Sequence, residues 1–383
     1  MDTIFVGSNF VAKYPEGGGN FSVVLQYLLG LRRMGRQGVW LEAMTTTGNP
    51  ATDARNVAAF RRRLTAFGFQ NDFCVLVHEP GETTPELGRC RVFGMTRKQL
   101  AARLGRGSTL LNLSYSIRPP LVGTFERRIL CSLDPTEVCF WMQRMEMGQS
   151  HHGEFASIGL NTHGNDSLVP RTPLRWKTYF PLVDTELLQP ALRPRRDVFS
   201  TIGQWYWDGC VQWEGEWRDF SKQAAFAKFM SLPARVPPPR AEWVLGMNLN
   251  ADDTEIARIR SLGWTFRHPH QLTRTPNSYY RFIRQSSAEF SAVKLESFAR
   301  SGWLSDRSGI YLALGRPVIT ESTGAEPYLP ARSGIAFVGS IEEAVVAAQD
   351  ILTHWEAWSQ RARTTAVECF DAVKNLRRIL SPA

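Results

Sequence analysis

The sequence lacks the hallmarks of a membrane protein and of a disulfide-rich secreted protein. No stretch among its 383 residues reaches the roughly 18 consecutive apolar residues that a bilayer span requires. The first seven residues have no basic segment followed by a long apolar core, and they predict a first strand rather than a signal peptide. The six cysteines show no C-x-x-C spacing and no neighbouring histidine pair, which indicates free, mostly buried thiols rather than a zinc site. We expect a cytoplasmic protein without a membrane span.

The length and charge favour two domains and an uneven surface. A chain of 383 residues exceeds one ordinary hydrophobic core, and its 43% hydrophobic and 21% charged residues are typical of a soluble globular protein. Residues 1–196 hold 24 Lys+Arg against 16 Asp+Glu, a balance of +8 out of the chain's +9. Arginine clusters lie at 61–63, 127–128 and 193–196. Such an excess favours either a surface for a polyanion, including nucleic acid, or simply solvated arginine-rich helix faces.

The first half begins with a βαβ pattern. Residues 4–7 predict a strand, 17–20 a glycine-rich loop, 21–35 a helix that ends in glycine after basic residues, and 39–42 a second strand. Further strands are predicted at 73–77, 109–113 and 128–134. Repeated units of this kind wind into a parallel sheet with helices on both faces.

The second half repeats the rhythm after a Pro- and Arg-rich linker at 190–197. Strands are predicted at 198–203 and 243–247, and helices around 222–230 and over 253–262. A helical tail follows from Ser340, a typical N-cap, to residue 380. We expect an α/β protein with two βα-rich halves.

Residues 300–320 hold the most informative pattern of the chain. Ser305, Asp306, Arg307 and Ser308 stand where a helix should begin, before an apolar run and the sequence Gly-Arg-Pro-Val-Ile. Unpaired N–H groups and positive partial charge at a helix start suit a phosphate group, and an arginine adds a fork of donors. The alternative is a helix cap without a ligand.

These residues resemble a known family. The elements Ser-Gly-Trp-Leu-Ser-Asp-Arg-Ser at 301–308, Leu-Gly-Arg-Pro-Val at 314–318 and Thr-Gly at 323–324 are similar to the C-terminal half of GT-B fold, nucleotide-sugar-dependent glycosyltransferases, closest to a poorly characterised bacterial group. The glycine-rich loop at 17–20 and Lys222 add to the resemblance. It implies two Rossmann-like domains facing across a cleft, and a C-terminal helix that crosses back to the N-terminal domain.

The resemblance also implies roles for the parts of the chain. Residues 1–192 would bind the acceptor, 198–360 the nucleotide-diphosphate sugar, UDP-sugar foremost, and 361–383 would form the crossing helix. Donor diphosphate would contact a set made of Ser305, Asp306, Arg307, Ser308, Lys222, Thr323 and Gly324. Gly18 and Gly19 would approach the substrates. Trp205, with Tyr206 and Trp207, would stack on sugar or base or else pack in the core, and Glu321 is a weaker candidate for the ribose.

One departure concerns the mechanism. Retaining members carry two glutamates eight positions apart, and here these positions are Gly302 and Ile310. We therefore expect an inverting transfer, which requires a general base near the acceptor hydroxyl. Asp134 is the first candidate, His152 the second and Glu16 the third. No D-x-D pair is placed to hold a metal, and no cofactor besides the sugar nucleotide is expected.

The function expected is sugar transfer to a hydroxyl acceptor. The basic first half adds a polyanion, such as DNA carrying hydroxymethyl bases, to the candidate acceptors beside a small metabolite or a glycan. The missing glutamates leave open a protein of the same fold that binds sugar nucleotide or nucleic acid without turnover.

Overall fold

A computed structural model describes residues 2–81, 83–206, 210–213, 215–250 and 253–382. The chain forms two compact units. The first comprises Met1–Gly159, Pro170–Asp184 and Ala372–Ala383, and the second comprises Leu160–Val169 and Thr185–Asp371. Each unit is therefore assembled from separate stretches of the chain.

Parallel strands dominate both units. The strands are β1 Thr3–Ser8, β2 Gln37–Thr45, β3 Phe73–His78, β4 Arg91–Gly94, β5 Gly105–Leu113, β6 Phe125–Ser132, β7 Glu154–Ser157, β8 Trp176–Thr178, β9 Val198–Gln204, β10 Cys210–Trp213, β11 Glu216–Asp219, β12 Glu242–Asn248, β13 Thr265–Arg267, β14 Ala288–Ser291, β15 Val318–Glu321 and β16 Ile335–Val338. The predicted strands are all present among them.

Helices alternate with these strands. They are α1 Gly18–Arg33, α2 Pro50–Thr65, α3 Arg97–Ala101, α4 Pro135–Met142, α5 Lys222–Phe226, α6 Leu232–Arg235, α7 Thr254–Ser261, α8 Pro269–Leu272, α9 Pro276–Arg284, α10 Leu295–Ala299, α11 Asp306–Ala313, α12 Ile341–Thr353, α13 Trp355–Thr365 and α14 Ala372–Leu380. Ser340 caps α12 by accepting the Glu343 N–H, as its sequence position predicted.

The first unit is an eight-stranded sheet in the order β4-β3-β2-β1-β5-β6-β7-β8. Only β4 runs antiparallel to its neighbour, at the edge. The strand order reverses between β1 and β5, which makes the carboxyl ends of these two strands the topological switch point. Under the sheet, the ring of Trp40 packs 4.7 Å from Phe21 and 4.8 Å from Phe60, centroid to centroid. Phe21, the first residue of the predicted helix, belongs to this aromatic core.

The last helix belongs to the first unit, as expected of the fold. The Ala372 N–H donates to the Val183 carbonyl at 2.8 Å, and the Asn375 side chain accepts the Phe180 N–H at 2.9 Å. Leu376 and Ile379 are fully buried on the same helix. The prediction that the chain crosses back at its end is confirmed.

The second unit is a six-stranded parallel sheet in the order β13-β12-β9-β14-β15-β16. Numbered within the unit, this order is 3-2-1-4-5-6, the Rossmann arrangement, and its switch point lies between β9 and β14. The core is aromatic: the Trp243 ring stacks on Phe199 at 4.6 Å and meets Phe290 at 5.8 Å. The short hairpin of β10 and β11, which periodicity did not predict, follows β9.

Two further observations concern the cysteines and membrane-crossing helices. All six cysteines are free, and four of them are buried, Cys210 and Cys369 being the others. In the part of the chain that the structure describes, no helix has the length and apolar content to cross a membrane.

Candidate functional site

The side chain of Arg307 occupies the switch point of the second sheet. Ser305 caps α11 by accepting the Arg307 N–H at 3.2 Å, which directs the first turn toward the carboxyl ends of the strands. The guanidinium donates to the Ile202 carbonyl on β9 at 2.7 Å and to the Ser291 hydroxyl on β14 at 2.8 Å. Arg307 therefore ties together the two strands between which a Rossmann sheet binds its ligand.

A buried carboxylate completes the anchoring of Arg307. Nε donates to Glu289 Oε1 at 2.5 Å, and the Glu289 side chain is fully buried. Three of the five guanidinium N–H groups are thus used inside the protein. The sequence predicted Arg307 as a phosphate ligand. It did not reveal that Arg307 also holds parts of the fold together through these three bonds. Asp306 is half-buried in the first turn of α11, and Ser308, two positions further along, is buried.

Lys222 is the second cation at this edge. Ser221 caps α5 through the Ala224 N–H, so that Lys222 begins the helix, and its Nζ donates to the Ala292 carbonyl just after β14. Burial, together with the positive charges of Arg307 and Lys294, lowers the pKa of Lys222 to about 7. A buried lysine that two other cations repel is poised to bind an anion, because an anion would relieve both costs.

Glu321 closes the cluster on the other side. It is buried at the end of β15, where Oε2 accepts the Val293 N–H at 2.6 Å and Oε1 pairs with Lys228 Nζ at 2.5 Å. From the sequence, Glu321 was only a weaker candidate for the ribose, and both of its carboxylate oxygens have partners within the protein. Its bonds fix the chain after β14, which carries Lys294.

Thr323 and Gly324 hold the loop that leads into α11. The Thr323 hydroxyl donates to the Trp303 carbonyl at 2.7 Å, and the Gly302 N–H donates to the Thr323 carbonyl at 2.7 Å. Gly324 has a φ of +80°, which glycine adopts without strain. The structure thus brings together Ser305, Arg307, Lys222 and Thr323, all predicted from sequence, at one edge of the second sheet.

The tryptophan predicted to stack on a ligand lies inside the protein. Trp205 is fully buried, its Nε1 donates to Glu255 at 3.2 Å, and its ring packs 5.7 Å from Phe226. These contacts correspond to the core-packing alternative. Tyr206 is exposed by 39% and donates to Asp253, while Trp207 lies outside the described residues.

Asp134 lies at the carboxyl end of β6 in the first unit. It precedes Pro135 at the start of α4, its side chain is exposed, and it makes no capping bond to the helix. Asp134 therefore lies at the edge where an open α/β sheet places its ligand. Glu16 is likewise exposed, just before the N-terminus of α1, where Gly18 is buried and Gly19 half-buried.

His152 is engaged on both ring nitrogens. Nδ1 lies 2.7 Å from the Gly148 carbonyl and Nε2 lies 3.0 Å from Asn112 Nδ2. Burial lowers its pKa to about 4. With Nδ1 donating and Nε2 accepting, the neutral ring has no nitrogen left to take a proton from a substrate. Its geometry is that of a histidine that holds β5 to the loop after α4.

Several residues of these edges were not predicted. In the first unit, Glu42 is fully buried and accepts the N–H groups of Val11 and Ala12 at 2.7 and 2.8 Å, which fixes the loop between β1 and α1. Ser114 and Tyr115, after β5, adopt φ values of +49° and +55°. Positive φ values cost free energy in residues other than glycine and cluster at functional sites. A sequence pattern does not predict them.

The arginine of the Gly-Arg-Pro element is structural. Arg316 is fully buried and donates to the carbonyls of Ala191, Leu192 and Arg284 at 2.7 to 3.0 Å. The part of the sequence that most resembles the glycosyltransferases therefore includes a residue that ties the chain before β9 to the sheet. Among the described residues, no three His, Cys, Asp or Glu side chains are grouped to hold a metal ion.

Comparison with known proteins shows which solved structures share this fold. No protein-family model matches the chain, and no curated protein matches it. Solved structures do: an alpha-glucosyltransferase in complex with UDP (TM-score 0.59, 9% identity, 98% of each chain covered) and HepE of Anabaena in complex with UDP and glucose (TM-score 0.55, 11% identity, covering 99% of this chain and 98% of that one). A further structure of the alpha-glucosyltransferase holds UDP and a 13-mer DNA containing an HMU base (TM-score 0.56, 11% identity, 99% of each chain).

The chain has the GT-B fold. These neighbours are GT-B glycosyltransferases, and the likeness extends over nearly the whole length of both chains. The resemblance read from residues 301–318 is confirmed at the level of the fold.

Proposed function

We propose that this protein transfers a sugar from a nucleoside-diphosphate sugar, UDP-sugar foremost, to a hydroxyl acceptor. The observation that carries the proposal is the cationic switch point of the second sheet, where Lys222, Lys294 and Arg307 converge beside the start of α11. A diphosphate leaving group gains negative charge as its bond to the anomeric carbon breaks. Cations and helix N–H groups fixed in advance at that place stabilise this charge.

The reaction proposed is a direct, inverting displacement without a metal. The acceptor oxygen forms a bond to the anomeric carbon, the bond from that carbon to the diphosphate breaks, and the acceptor proton passes to a base. Gly302 and Ile310 replace the glutamates of retaining relatives, which supports inversion. Asp134 is the proposed base and Glu16 its alternative, because both are exposed carboxylates, whereas the ring nitrogens of His152 are occupied.

Within the donor site, Lys222 is proposed as the principal phosphate ligand. Arg307 has three donors committed to the protein, so its contribution is to fix the strands and to add positive charge. Ser305, Asp306, Ser308, Thr323 and Gly324 are proposed to shape the loop and the helix start that face the phosphates.

The charge of the first unit supports a polyanionic acceptor. Counted over the two units, the first holds 24 Lys+Arg against 14 Asp+Glu, a balance of +10, and the second holds 21 against 22, a balance of −1. One structure of the neighbouring alpha-glucosyltransferase contains a 13-mer DNA with an HMU base. We propose DNA with hydroxymethyl bases as the acceptor class to test first.

Two assays test these proposals. The protein is incubated with UDP-, GDP-, dTDP- and CDP-sugars and with either hydroxymethylated or unmodified duplex DNA. It should release nucleoside diphosphate from only one of these sugar nucleotides, and only with the hydroxymethylated duplex. Thermal shift with UDP, GDP, dTDP and CDP separates binding from turnover. Selective stabilisation without sugar transfer to any acceptor would favour a non-catalytic binding protein, the alternative that the missing glutamates motivate. No stabilisation by any nucleotide would refute the donor site.

A further inference from the structure

Residues 160–169 form a short excursion that belongs to the second unit although both flanking stretches belong to the first. Its backbone binds the chain that precedes the donor loop: the Asn161 N–H donates to the Ser301 carbonyl at 2.9 Å, and the Leu168 N–H donates to the Ala299 carbonyl at 2.8 Å. The excursion therefore holds the end of α10 from two sides.

The side chain of Asn161 is the centre of this contact. It is buried, and its Nδ2 donates to the Arg300 carbonyl at 2.8 Å and to Asp166 Oδ1 at 3.0 Å. Its Oδ1 accepts the hydroxyl of Tyr328 at 3.0 Å. Both amide hydrogens and the amide oxygen thus have partners, and these partners lie on three separate segments of the second unit.

The backbone next to Asn161 adopts a conformation that needs such support. Arg300 has a φ of +49°, which costs free energy in a residue other than glycine, and Gly302 follows with a φ of +76°. A Cβ at Gly302 would lie 2.4 Å from the Asn161 nitrogen, and one at Gly324 would lie 3.1 Å from Asn161 Nδ2. Glycine at these two positions leaves the space that the asparagine occupies.

The segment held in this way leads directly into the proposed donor site. Residues 303–305 follow Gly302 without a break and end at Ser305, the cap of α11. The Trp303 carbonyl accepts from Thr323, and the Trp303 N–H donates to the Ser301 hydroxyl at 3.2 Å. The place of the loop therefore depends on the turn at 300–302, which in turn depends on the Asn161 amide.

We propose that Asn161 is a positioning residue for donor binding: its side-chain amide holds the left-handed turn at Arg300, so that the loop 303–305 sets the position of the N-terminus of α11, where the diphosphate is proposed to bind. This inference rests on the proposed function. It assigns to the excursion 160–169 a role in donor affinity that neither the helix start nor the lysine cluster supplies.

The test replaces the amide by a carboxylate of the same shape. In Asn161→Asp, an oxygen faces the Arg300 carbonyl and Asp166 where an N–H group did, so both bonds become repulsive. We expect the dissociation constant of the favoured nucleotide, measured by calorimetry, to rise by about tenfold or more, with KM for the sugar nucleotide rising more than kcat falls. Faster hydrogen exchange at residues 302–305 should accompany the change.

The matched control is Asn165→Asp, the same change on an exposed residue of the same excursion. It should leave the dissociation constant and the exchange rates unchanged. Tyr328→Phe removes one bond and leaves the fold intact, so it serves if Asn161→Asp does not fold, and we expect it to weaken nucleotide binding by about threefold.

The outcomes are distinguishable. If the wild-type protein binds no nucleotide, the proposed function fails. If the wild type binds and Asn161→Asp binds equally well, or Asn161→Asp fails to fold and Tyr328→Phe binds like wild type, the positioning role is overturned while the proposed function stands.

Discussion

In both units the strand order of a mostly parallel sheet reverses once, but the buried carboxylates near the two reversals have different partners. In the first unit, the buried carboxylate of Glu42 is bound by neutral donors, the N–H groups of Val11 and Ala12 and the hydroxyl of Ser8. In the second unit, the buried carboxylate of Glu289 is bound by Arg307, and Lys222 lies close by. A Rossmann sheet therefore offers the same edge in both units, and the side chains alone decide whether it attracts an anion.

The net charge of the two units does not follow the position of the buried cations. The first unit carries +10 and the second −1, although the second holds the cationic cluster. Local charge at a buried edge suits one small anion, whereas exposed charge spread over a unit suits a polymer. This contrast is what a two-substrate reaction with a nucleotide donor and a polyanionic acceptor would require, and each prediction below tests one side of it.

The largest effect is expected at the proposed base of the first unit. Asp134→Asn should reduce kcat by about 100- to 10,000-fold, because the acceptor proton loses its acceptor group. Nucleotide affinity should stay unchanged. Folding should change little, because asparagine has nearly the same shape as aspartate and is equally favoured at the start of a helix. Steady-state release of diphosphate and calorimetric titration check the two parts.

Glu137→Gln, in the first turn of the same helix, is the control for Asp134 and should retain wild-type turnover. If Asp134→Asn turns over normally and Glu16→Gln does not, the base is Glu16. The configuration of the product, read by NMR of the anomeric proton, should be opposite to that of the donor.

Removal of Arg307 should destabilise the second unit. Arg307→Met leaves the buried Glu289 carboxylate without its cation, at a cost of about 3–5 kcal/mol in the free energy of unfolding. The double variant Arg307→Met/Glu289→Met should recover most of this loss, because no charge stays buried. Denaturant unfolding measures both.

An exposed ion pair provides the comparison for Arg307. The side chains of Arg300 and Asp166 are 46% and 56% exposed, so Asp166→Asn should lower the free energy of unfolding by less than about 1 kcal/mol.

The double variant Arg307→Met/Glu289→Met also separates the two possible roles of Arg307. If it still binds nucleotide, Arg307 acts through the fold. If binding is abolished, its guanidinium contacts the phosphates as the sequence predicted.

The contrast between Ser305 and Arg307 shows how far the sequence could reach. The cap at Ser305 depends on residues two positions apart, so the local pattern predicted it. The bonds of Arg307 join it to Ile202, 105 positions away, and to Ser291 and Glu289 on another strand. Nothing in a single sequence pairs such positions, and the structural role of Arg307 was invisible for that reason.

The same reasoning applies to the other site residues. The parallel strands and the cap at Ser340 follow from spacing and were predicted. The loop predicted at 17–20 was partly wrong, because α1 already begins at Gly18. The burial of Trp205 and the two bonds of His152 depend on which face of an element meets the core, and both readings stayed open until the contacts were known.

Lys222 should make donor affinity depend on pH. Its pKa of about 7 lies below the ordinary value for lysine, and a bound diphosphate favours the charged form, so binding takes up a proton. Affinity for UDP-sugar should therefore fall as pH rises above about 7. UDP-sugar is the right probe because its diphosphate does not titrate in this range.

Variants at Lys222 sharpen the comparison with the first unit. Lys222→Met should weaken binding by about 10- to 100-fold and remove the pH dependence, and Lys222→Arg should bind with a flat profile. The stability of the protein should depend on pH in the opposite direction to nucleotide affinity. Between pH 7 and 10.5 the lysine is protonated in the unfolded state but largely neutral in the folded state. The free energy of unfolding of the wild type should therefore rise relative to that of Lys222→Met as pH rises through this window. A wild-type profile that is flat from pH 6 to 9 would show that Lys222 does not meet the phosphates.

The smallest effect is expected from the exposed charge of the first unit. On α14, Lys374, Arg377 and Arg378 are exposed while Leu376 and Ile379 are buried, so the three cations share the outer face of the helix. If this face meets a polyanionic acceptor, replacing all three by serine should make the negative slope of log K against log salt for DNA binding shallower by up to about 3, roughly one unit per lost contact. Replacing Arg281, Arg284 and Arg332 of the second unit, which are also exposed, should leave the slope unchanged. If both triple variants change the salt dependence of DNA binding equally, binding follows the total charge of the protein. The charge of the units would then not support the assignment of the acceptor to the first unit and the donor to the second.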